Sequence, residues 1–336
     1  MSGGGHGRVG VRMTTVAQVA NVSQSVVSKV LNERPGVSDA VRSRVMEAVR
    51  ATGYEWRRRR SRTETIEVVF GTVVNALNAP FLRGFWSVIR ESAYSLVVSH
   101  VDADGEWIGD LLAHRPRGVV LVVSPVPPIA AERLARAGIP TVVVDTVGDA
   151  PGGMNAVGAT QWRGGETATA HLTGLGHRRI ALLSGPLHLT CCRARLGGYL
   201  AALRDAGIRP ERAFCRSLRF QSAPARRVAH AMLDLPSPPT AFVAGNDLQA
   251  FGVIEACVER GLRVPEDVSV VGFDDVDAAV TAAPALTTIR QPFEAMAAES
   301  IRVLDAVTAD PGLAPVRLDL AVGLVLREST GPARDR

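Results

Sequence analysis

The sequence predicts a small all-α head followed by a two-lobed α/β core built on parallel sheets, and three observations carry that prediction. From Ile66 onward, short apolar runs alternate with amphipathic helical stretches, the pattern of parallel sheets covered by helices on both faces. Before Ile66 the chain shows three short helical patterns and no strand pattern. Positive charge is gathered there as well: residues 1–62 hold twelve Lys or Arg against four Asp or Glu, and the rest of the chain 26 against 29. Such asymmetry points to a polyanionic partner for the first segment, bound in a salt-dependent way through counterion release. A solvated basic tail is the competing reading.

Bulk properties narrow the classes further. With 336 residues, 46% of them hydrophobic, and a net charge of +5, the chain can bury a sizeable core and form two or three domains. No apolar run approaches the roughly 20 residues of a membrane span, and the N-terminus lacks the apolar stretch of a secretory signal. A cytoplasmic protein without membrane association is expected. The four cysteines show no CxxC or Cys/His ligand spacing, so reduced thiols and no metal site are expected. There is no P-loop and no GxSxG, and "GGGHG" at 3–7 lies in a tail rather than after a strand. Neither catalytic residues nor a cofactor are predicted. His177 in "GLGHRR" reads as a structural turn residue.

Element by element, residues 1–12 are Gly-rich and read as a disordered tail. The first helical pattern, about 14–20, carries Val16, Ala17, Val19 and Ala20 behind Thr14 or Thr15 as caps. The second opens at the N-cap Ser23, directly after Asn21, one of the few non-Gly residues that tolerates a left-handed turn. The third begins at Ser38, repeats Val41, Val45, Ala48 and Val49 at helical spacing, and stops at Gly53. We assign a helix-turn-helix head to 13–56, a basic hinge to 57–65, the core to 66–330 and a tail to 331–336.

On the second helix, Val27, Val30 and Leu31 fall on one face with Val26 at its margin, while Gln24, Ser25, Ser28, Lys29 and Asn32 occupy the other. Short polar side chains let that face approach a surface closely. Gln and Lys have groups that reach base edges in a major groove, which makes this a recognition-helix pattern.

In the core, strands are predicted at 66–74, 95–100, 118–123, 140–145, 179–185, 240–245 and 268–273. Helices fit around 80–93, 106–114, 129–137, 162–175, 194–206, 224–234, 247–261 and 293–307. Gly and Pro interrupt the rhythm at 146–158, which predicts two α/β subdomains. Ligands on such sheets bind at the carboxyl ends of the strands, here in the cleft between two lobes.

These residues also carry a resemblance. "MTTVAQVANVSQSVVSKVLNERPGVSDAVRSRVMEAVRATGY" (13–54) resembles, without a gap, the DNA-binding module of the LacI–GalR family of bacterial transcriptional regulators. Its most specific part is Val22-Ser23, then Val27 to Asn32, Val37-Ser38 and Gly53-Tyr54. "HLTGLGHRRIALLSGP" (171–186), "CRARLGGYLAALRDAG" (192–207), "AGNDLQAFGVIEACVERGLRVPEDVSVVGFDD" (244–275), "PALTTIRQP" (284–292) and "LRES" (326–329) are similar to that family's periplasmic-binding-protein-like effector core.

The resemblance implies a homodimeric regulator, of repressor type, whose two heads read a pseudopalindromic double-stranded DNA operator and whose cleft binds a sugar-like small molecule. By position, Gln24, Ser25 and Lys29 match base-reading residues, Ser23 and Ser28 match phosphate contacts, and Asn32 matches a backbone contact. Thr15 joins this DNA-binding set. Lys29, the only lysine in the chain, stands where the family usually has arginine, and it lacks the planar fork of that side chain. Arg195, Asn246 and Asp274 match polar effector contacts, Phe220 an aromatic that covers the ligand ring, and Asn75 a further effector-binding position. Arg193 reads as a buttress. Asn246 and Asp274 also read simply as turn residues after strands.

Three departures stand out. After Tyr54 the chain reads "EWRRRRSRTETIEVVF" in place of a Pro-Asn pair and a leucine-bearing hinge helix. Arg57, Arg58, Arg59, Arg60 and Arg62 are suited to grip phosphates or enter a narrow minor groove, though they also read as a solvated charge run. Thr160-Gln161 replaces an Asp-Asn pair, so a cleft carboxylate is expected to be missing. Asn75-Ala76-Leu77-Asn78 replaces Asn-Pro-Phe-Phe, with Pro80-Phe81 displaced. The alternative function, a small-molecule-binding protein of periplasmic type without operator specificity, is disfavoured by the basic head and the missing export signal.

Overall fold

The computed structural model describes residues 13–31, 36–52, 54, 65–71, 77–101, 106–123, 126–145 and 153–334. It divides into two units, Met1–Arg62 and Thr63–Arg336.

In the first unit α1 (Met13–Val19), α2 (Gln24–Leu31) and α3 (Asp39–Thr52) follow one another in the predicted order, but α1 already includes Thr14 and Thr15, which therefore lie in its first turn and do not cap it. Asn21 takes the left-handed conformation at φ +50°. Val22 N–H donates to the Ala17 carbonyl at 3.0 Å, closing the turn. Ser23 starts α2: its carbonyl accepts from the amides of Val26 and Val27, and its Oγ lies 3.4 Å from Val26 N. Val16, Ala17, Ala20, Val27, Val30, Leu31, Val45 and Ala48 form the buried core. Val19, predicted with the apolar set of α1, is 55% exposed. At 100° per residue it lies outside the arc shared by Val16, Ala17 and Ala20. The predicted stop at Gly53 lies outside the described residues.

The second unit holds two six-stranded sheets. The first contains β1 (Thr65–Phe70), β2 (Ser95–His100), β3 (Gly118–Val122), β4 (Thr141–Val144), β5 (Asn155–Ala159) and β11 (Arg317–Leu320), in the order β11-β5-β4-β3-β1-β2. The second contains β6 (Ile180–Ser184), β7 (Cys215–Ser217), β8 (Ala241–Ala244), β9 (Ser269–Asp274), β10 (Thr287–Arg290) and β12 (Gly323–Val325), in the order β12-β10-β9-β8-β6-β7. All pairs are parallel except β10 with β12. In each sheet the first strand lies between the second and the third, so the connections diverge there and open a crevice at the carboxyl ends.

All seven predicted strands are present. The five others, each five residues or shorter, were missed. The Gly- and Pro-interrupted segment predicted to separate the subdomains holds β5, which belongs to the first sheet. The chain then crosses between lobes three times. It passes from β5 to α7 (Gln161–Gly174) at 160–161, and from β10 to α12 (Phe293–Ala309) at 291–292. It passes finally from β11 to β12 at 321–322. Helix α12 returns to the first lobe, where Phe293, Met296 and Ala297 share a core with Phe81 and Phe85. His177, read as a structural turn residue, stands just after the turn at Leu175–Gly176 and is buried: Nδ1 is 2.9 Å from Thr240 Oγ1, and Nε2 is 3.0 Å from Ser269 Oγ.

The contact that places the site is the crossing of α7 with α8 (Thr190–Asp205). A Cβ on Gly198 would stand 2.0 Å from the Trp162 carbonyl oxygen, and one on Gly165 2.2 Å from that of Arg195. Backbone meets backbone here, so neither position has room for a side chain. Gly198→Val forces the helices apart at a cost of about 1–3 kcal/mol for overpacking. The expected drop in the thermal midpoint is about 3–10 °C, read by differential scanning calorimetry; an unchanged midpoint contradicts the close approach.

Candidate functional sites

On α2, Gln24, Ser25 and Lys29 are exposed and Ser28 is half-buried, while Val27, Val30 and Leu31 are buried beneath them. Thr15 and Ser23 are exposed nearby in sequence, and Ser23 Oγ is hydrogen-bonded to Ser25 Oγ at 2.7 Å. The helix thus presents a polar edge fixed from behind by three aliphatic anchors. Asn32, Arg57, Arg58, Arg59, Arg60 and Arg62 lie outside the described residues.

The second candidate site lies at the carboxyl ends of the strands in the core. Asp145 follows β4, Asn246 follows β8 and caps α10 (Asp247–Glu259), and Asp274 ends β9. Asp145, Asp274 and Asp275 have φ of +47°, +108° and +58°, a left-handed geometry that non-glycine residues adopt at a cost and that recurs at functional turns. Asn246 Oδ1 accepts from Gln249 N at 2.9 Å. The capping role of Asn246 is therefore real.

Arg195, 7% exposed, is the centre of the arrangement. Its Nε donates to Gln161 Oε1 at 2.8 Å, its Nη1 donates to the Gly245 carbonyl, and its Nη2 lies 3.8 Å from Asp274 Oδ1. The guanidinium carbon stands 3.6 Å from the centre of the Phe273 ring, a cation–π contact. Gln161 Nε2 in turn donates to Gln291 Oε1 at 2.8 Å and toward Asp145 Oδ1 at 3.3 Å. Gln291 Nε2 donates to Asp274 Oδ1 at 2.7 Å. One network therefore joins a carboxylate of the first lobe, two glutamines at the lobe crossings, and the Arg195–Asp274 pair of the second.

Electrostatics suit such a network to hydroxyl ligands. Burial pushes the Asp274 carboxyl up to about 7, against the opposing pull of Arg195 and Gln291. Burial also raises Asp145, again opposed by Arg195. Asp247, which accepts from Thr288 Oγ1 and Val276 N, is pushed up to about 8 by burial and by the charge of Asp274. Carboxyls that exchange a proton near neutrality can both accept and donate, as sugar hydroxyls require.

Phe220 is half-buried, with its ring against Gly185 at the end of β6: a Cβ there would meet Phe220 Cζ at 2.2 Å and Cys192 Sγ at 2.6 Å. Arg193 donates to the carbonyls of Leu187 and His188 and to Thr190 Oγ1, which holds the loop before α8. A cavity of about 520 Å³ lies beside the network and shares Asp145 and Gln161 with it. Its other walls include Trp162, Thr190, Cys191 and Asp319. It is offset from Asn246, Asp274 and Phe220, so the sequence-predicted residues and this cavity meet only through the two shared side chains. Asn75 lies outside the described residues.

Sequence reasoning missed Asp145 and Gln291. Asp145 ends a valine strand and Gln291 ends "TTIRQ", in each case a polar residue after a buried run, which is a weak but usable signal. Thr160 brings no carboxylate, and the one beside Gln161 belongs to Asp145. Among the described residues no cluster of His, Cys, Asp or Glu is arranged to hold a metal ion. No helix among them is long and apolar enough to cross a membrane.

Comparison with known proteins follows the same division. Residues 12–55 match the family described as bacterial regulatory proteins, lacI family, and residues 169–330 match a periplasmic binding protein-like domain. The ribose operon repressor of Escherichia coli K12 is 32% identical over 329 residues, covering 94% of this chain and 99% of the repressor. Among solved structures, the lac repressor dimer bound to operator and the anti-inducer ONPF is 29% identical at a TM-score of 0.82, over 96% of this chain and 99% of that one. A LacI family regulator from Enterococcus faecium with bound ribose is 28% identical at a TM-score of 0.73, over 80% of this chain and all of that one.

A pH dependence follows from the buried carboxyls. Asp274 and Asp247 hold protons in the folded state up to about 7 and about 8, whereas in the unfolded chain they lose them near pH 4. Folding therefore takes up protons, and this contribution to stability is present below pH 4 and lost as pH rises through 7 to 8. In ligand-free protein the melting temperature should fall between pH 5 and 8, and Asp274→Asn should flatten the part of that fall near pH 7. A midpoint independent of pH across this range would refute the assignment.

Proposed function

The chain belongs to the lacI family of bacterial regulatory proteins, and from that membership we infer which of its residues read DNA and which bind the effector. It is a DNA-binding transcriptional regulator, not an enzyme. It acts as a dimer on operator DNA under the control of a small molecule bound in the core.

The finer assignment is our own. Gln24, Ser25 and Lys29 contact base edges, Ser23, Ser28, Thr15 and Asn32 contact the backbone, and Arg57 to Arg60 add phosphate contacts that steepen the salt dependence. The observation that carries this reading is the exposed polar edge of α2 over the buried Val27, Val30 and Leu31. The effector is a sugar, and D-ribose is the first compound to test, since the ribose operon repressor is 32% identical. Asp145, Arg195, Asn246, Asp274 and Gln291 bind its hydroxyls, with Phe220 against the ring and Asn75 completing the first-lobe side. Repression is the favoured sign, because bound heads occlude a promoter. The site of action is the cytoplasm, where the operator lies.

Two outcomes test this. In mobility-shift titrations on the upstream region of its own operon at physiological salt, Gln24→Ala and Lys29→Ala should each cost about 1–3 kcal/mol on the specific site and little on random DNA. Equal losses on both would reduce these residues to non-specific contacts. In thermal-shift experiments a hundredfold excess of D-ribose over its Kd should stabilise the native protein by about 2.7 kcal/mol, and Arg195→Ala should remove the shift. A screen in which no sugar moves either the midpoint or operator binding would end the sugar assignment.

A further inference from the structure

Helix α8 opens with two consecutive cysteines, and the fold treats them differently. Cys192 is 1% exposed and lies beside Phe220 and Gly185. Cys191, turned by about 100° on the helix, is partly exposed and lines the 520 Å³ cavity with Asp145, Gln161 and Thr190. Their sulfurs are 3.9 Å apart. Arg195 stands one turn further along the same helix. Its guanidinium is buried among Gln161, Gly245 and Asp274.

We infer that Cys191 is a covalent modification site in the cleft, open to small uncharged Michael acceptors of the α,β-unsaturated carbonyl class. Four features together support it. The cavity gives access to this sulfur. The contact with the neighbouring Cys192 sulfur and the positive charge of Arg195 hold Cys191 below the usual thiol range, while burial and the charges of Asp145 and Asp274 act in the opposite direction. A thiolate beside positive charge in the first turn of a long helix is the form that reacts. The remaining cysteines are less reactive: Cys257 is fully buried in α10, Cys215 is half-buried against the second-lobe core, and burial pushes both thiols up. Of the charged residues lining that cavity, Arg163 and Arg317 are balanced by Asp145 and Asp319, which suits a reagent without net charge.

The addition needs no oxidant. The Cys191 sulfur forms a bond to the β-carbon, the π pair of the C=C bond shifts to the α-carbon, and that carbon takes up the proton released by the thiol. The adduct then fills space between α8, Asp145 and Gln161. Resting on the sugar reading above, this makes modification and effector binding mutually exclusive.

N-ethylmaleimide is the probe, applied to native full-length protein and followed by peptide mass spectrometry. One equivalent should enter at Cys191 about tenfold faster than at Cys215, with Cys257 unlabelled until the protein is denatured. In Cys191→Ala the first equivalent should be lost and Cys192 should stay unlabelled. Saturating D-ribose should slow the reaction of the wild type about tenfold, because a ligand in the cleft covers the sulfur. Labelling first at Cys192, Cys215 or Cys257, or no uptake before denaturation, overturns the proposal. Rapid labelling at Cys191 that ribose does not slow upholds the modification site and counts against ribose as the cleft ligand.

Discussion

A guanidinium removed from water has to be answered by acceptors and by negative charge, and the core of this protein is organised around that demand at Arg195. An uncompensated buried charge costs several kcal/mol. Here Gln161, the Gly245 carbonyl, Asp274 and the face of Phe273 surround it. Three of these four come from the carboxyl ends of strands or the residues just beyond them. The fourth, Gln161, comes from the start of α7, and it reaches Arg195 only because Gly165 and Gly198 let α7 and α8 touch backbone to backbone. Remove the close approach and the glutamine no longer meets the arginine.

The same network explains why two lobes can act as one sensor. Gln161 and Gln291 lie on two of the three crossings between lobes, and they are hydrogen-bonded to each other. At the first and third crossings, Thr160 Oγ1 accepts from Val322 N at 3.2 Å, and Thr160 N donates to the Leu320 carbonyl at 2.9 Å. A change in the angle between lobes must be taken up at these bonds or at the turns beside them. Because Asp145 and Asp274 enter the network from opposite lobes, a hydroxyl ligand bonded to both carboxyls, as proposed above, would act directly on that angle.

The head solves a simpler problem. Among the described residues eight buried aliphatic side chains form its core, too few to tolerate much disorder in the helix that carries the polar edge. Ser23 and the left-handed Asn21 fix where α2 begins, and Val27, Val30 and Leu31 fix which way it faces. Register on a groove is then inherited from packing.

How much could be read in advance depends on the distance over which each feature is decided. The turn at Asn21, the cap at Ser23, the two faces of α2 and the seven strands with apolar runs are set by neighbours within a few residues, so periodicity and capping chemistry were enough to find them. Asn246 and Asp274 stand at strand ends and Arg195 on α8; their candidacy came from the family resemblance, because polar residues after strands also serve as turns and caps. The short strands β5, β7, β10, β11 and β12 were not legible, since their stability comes from partners far along the chain. Nor could the sequence say that Gln161, Gln291 and Asp145, spread over almost 150 positions, would share one buried network around Arg195. Local order is written in spacing, but the meeting of distant polar groups is decided only when the sheets assemble, because each of them is tolerated inside solely by the partners that assembly provides.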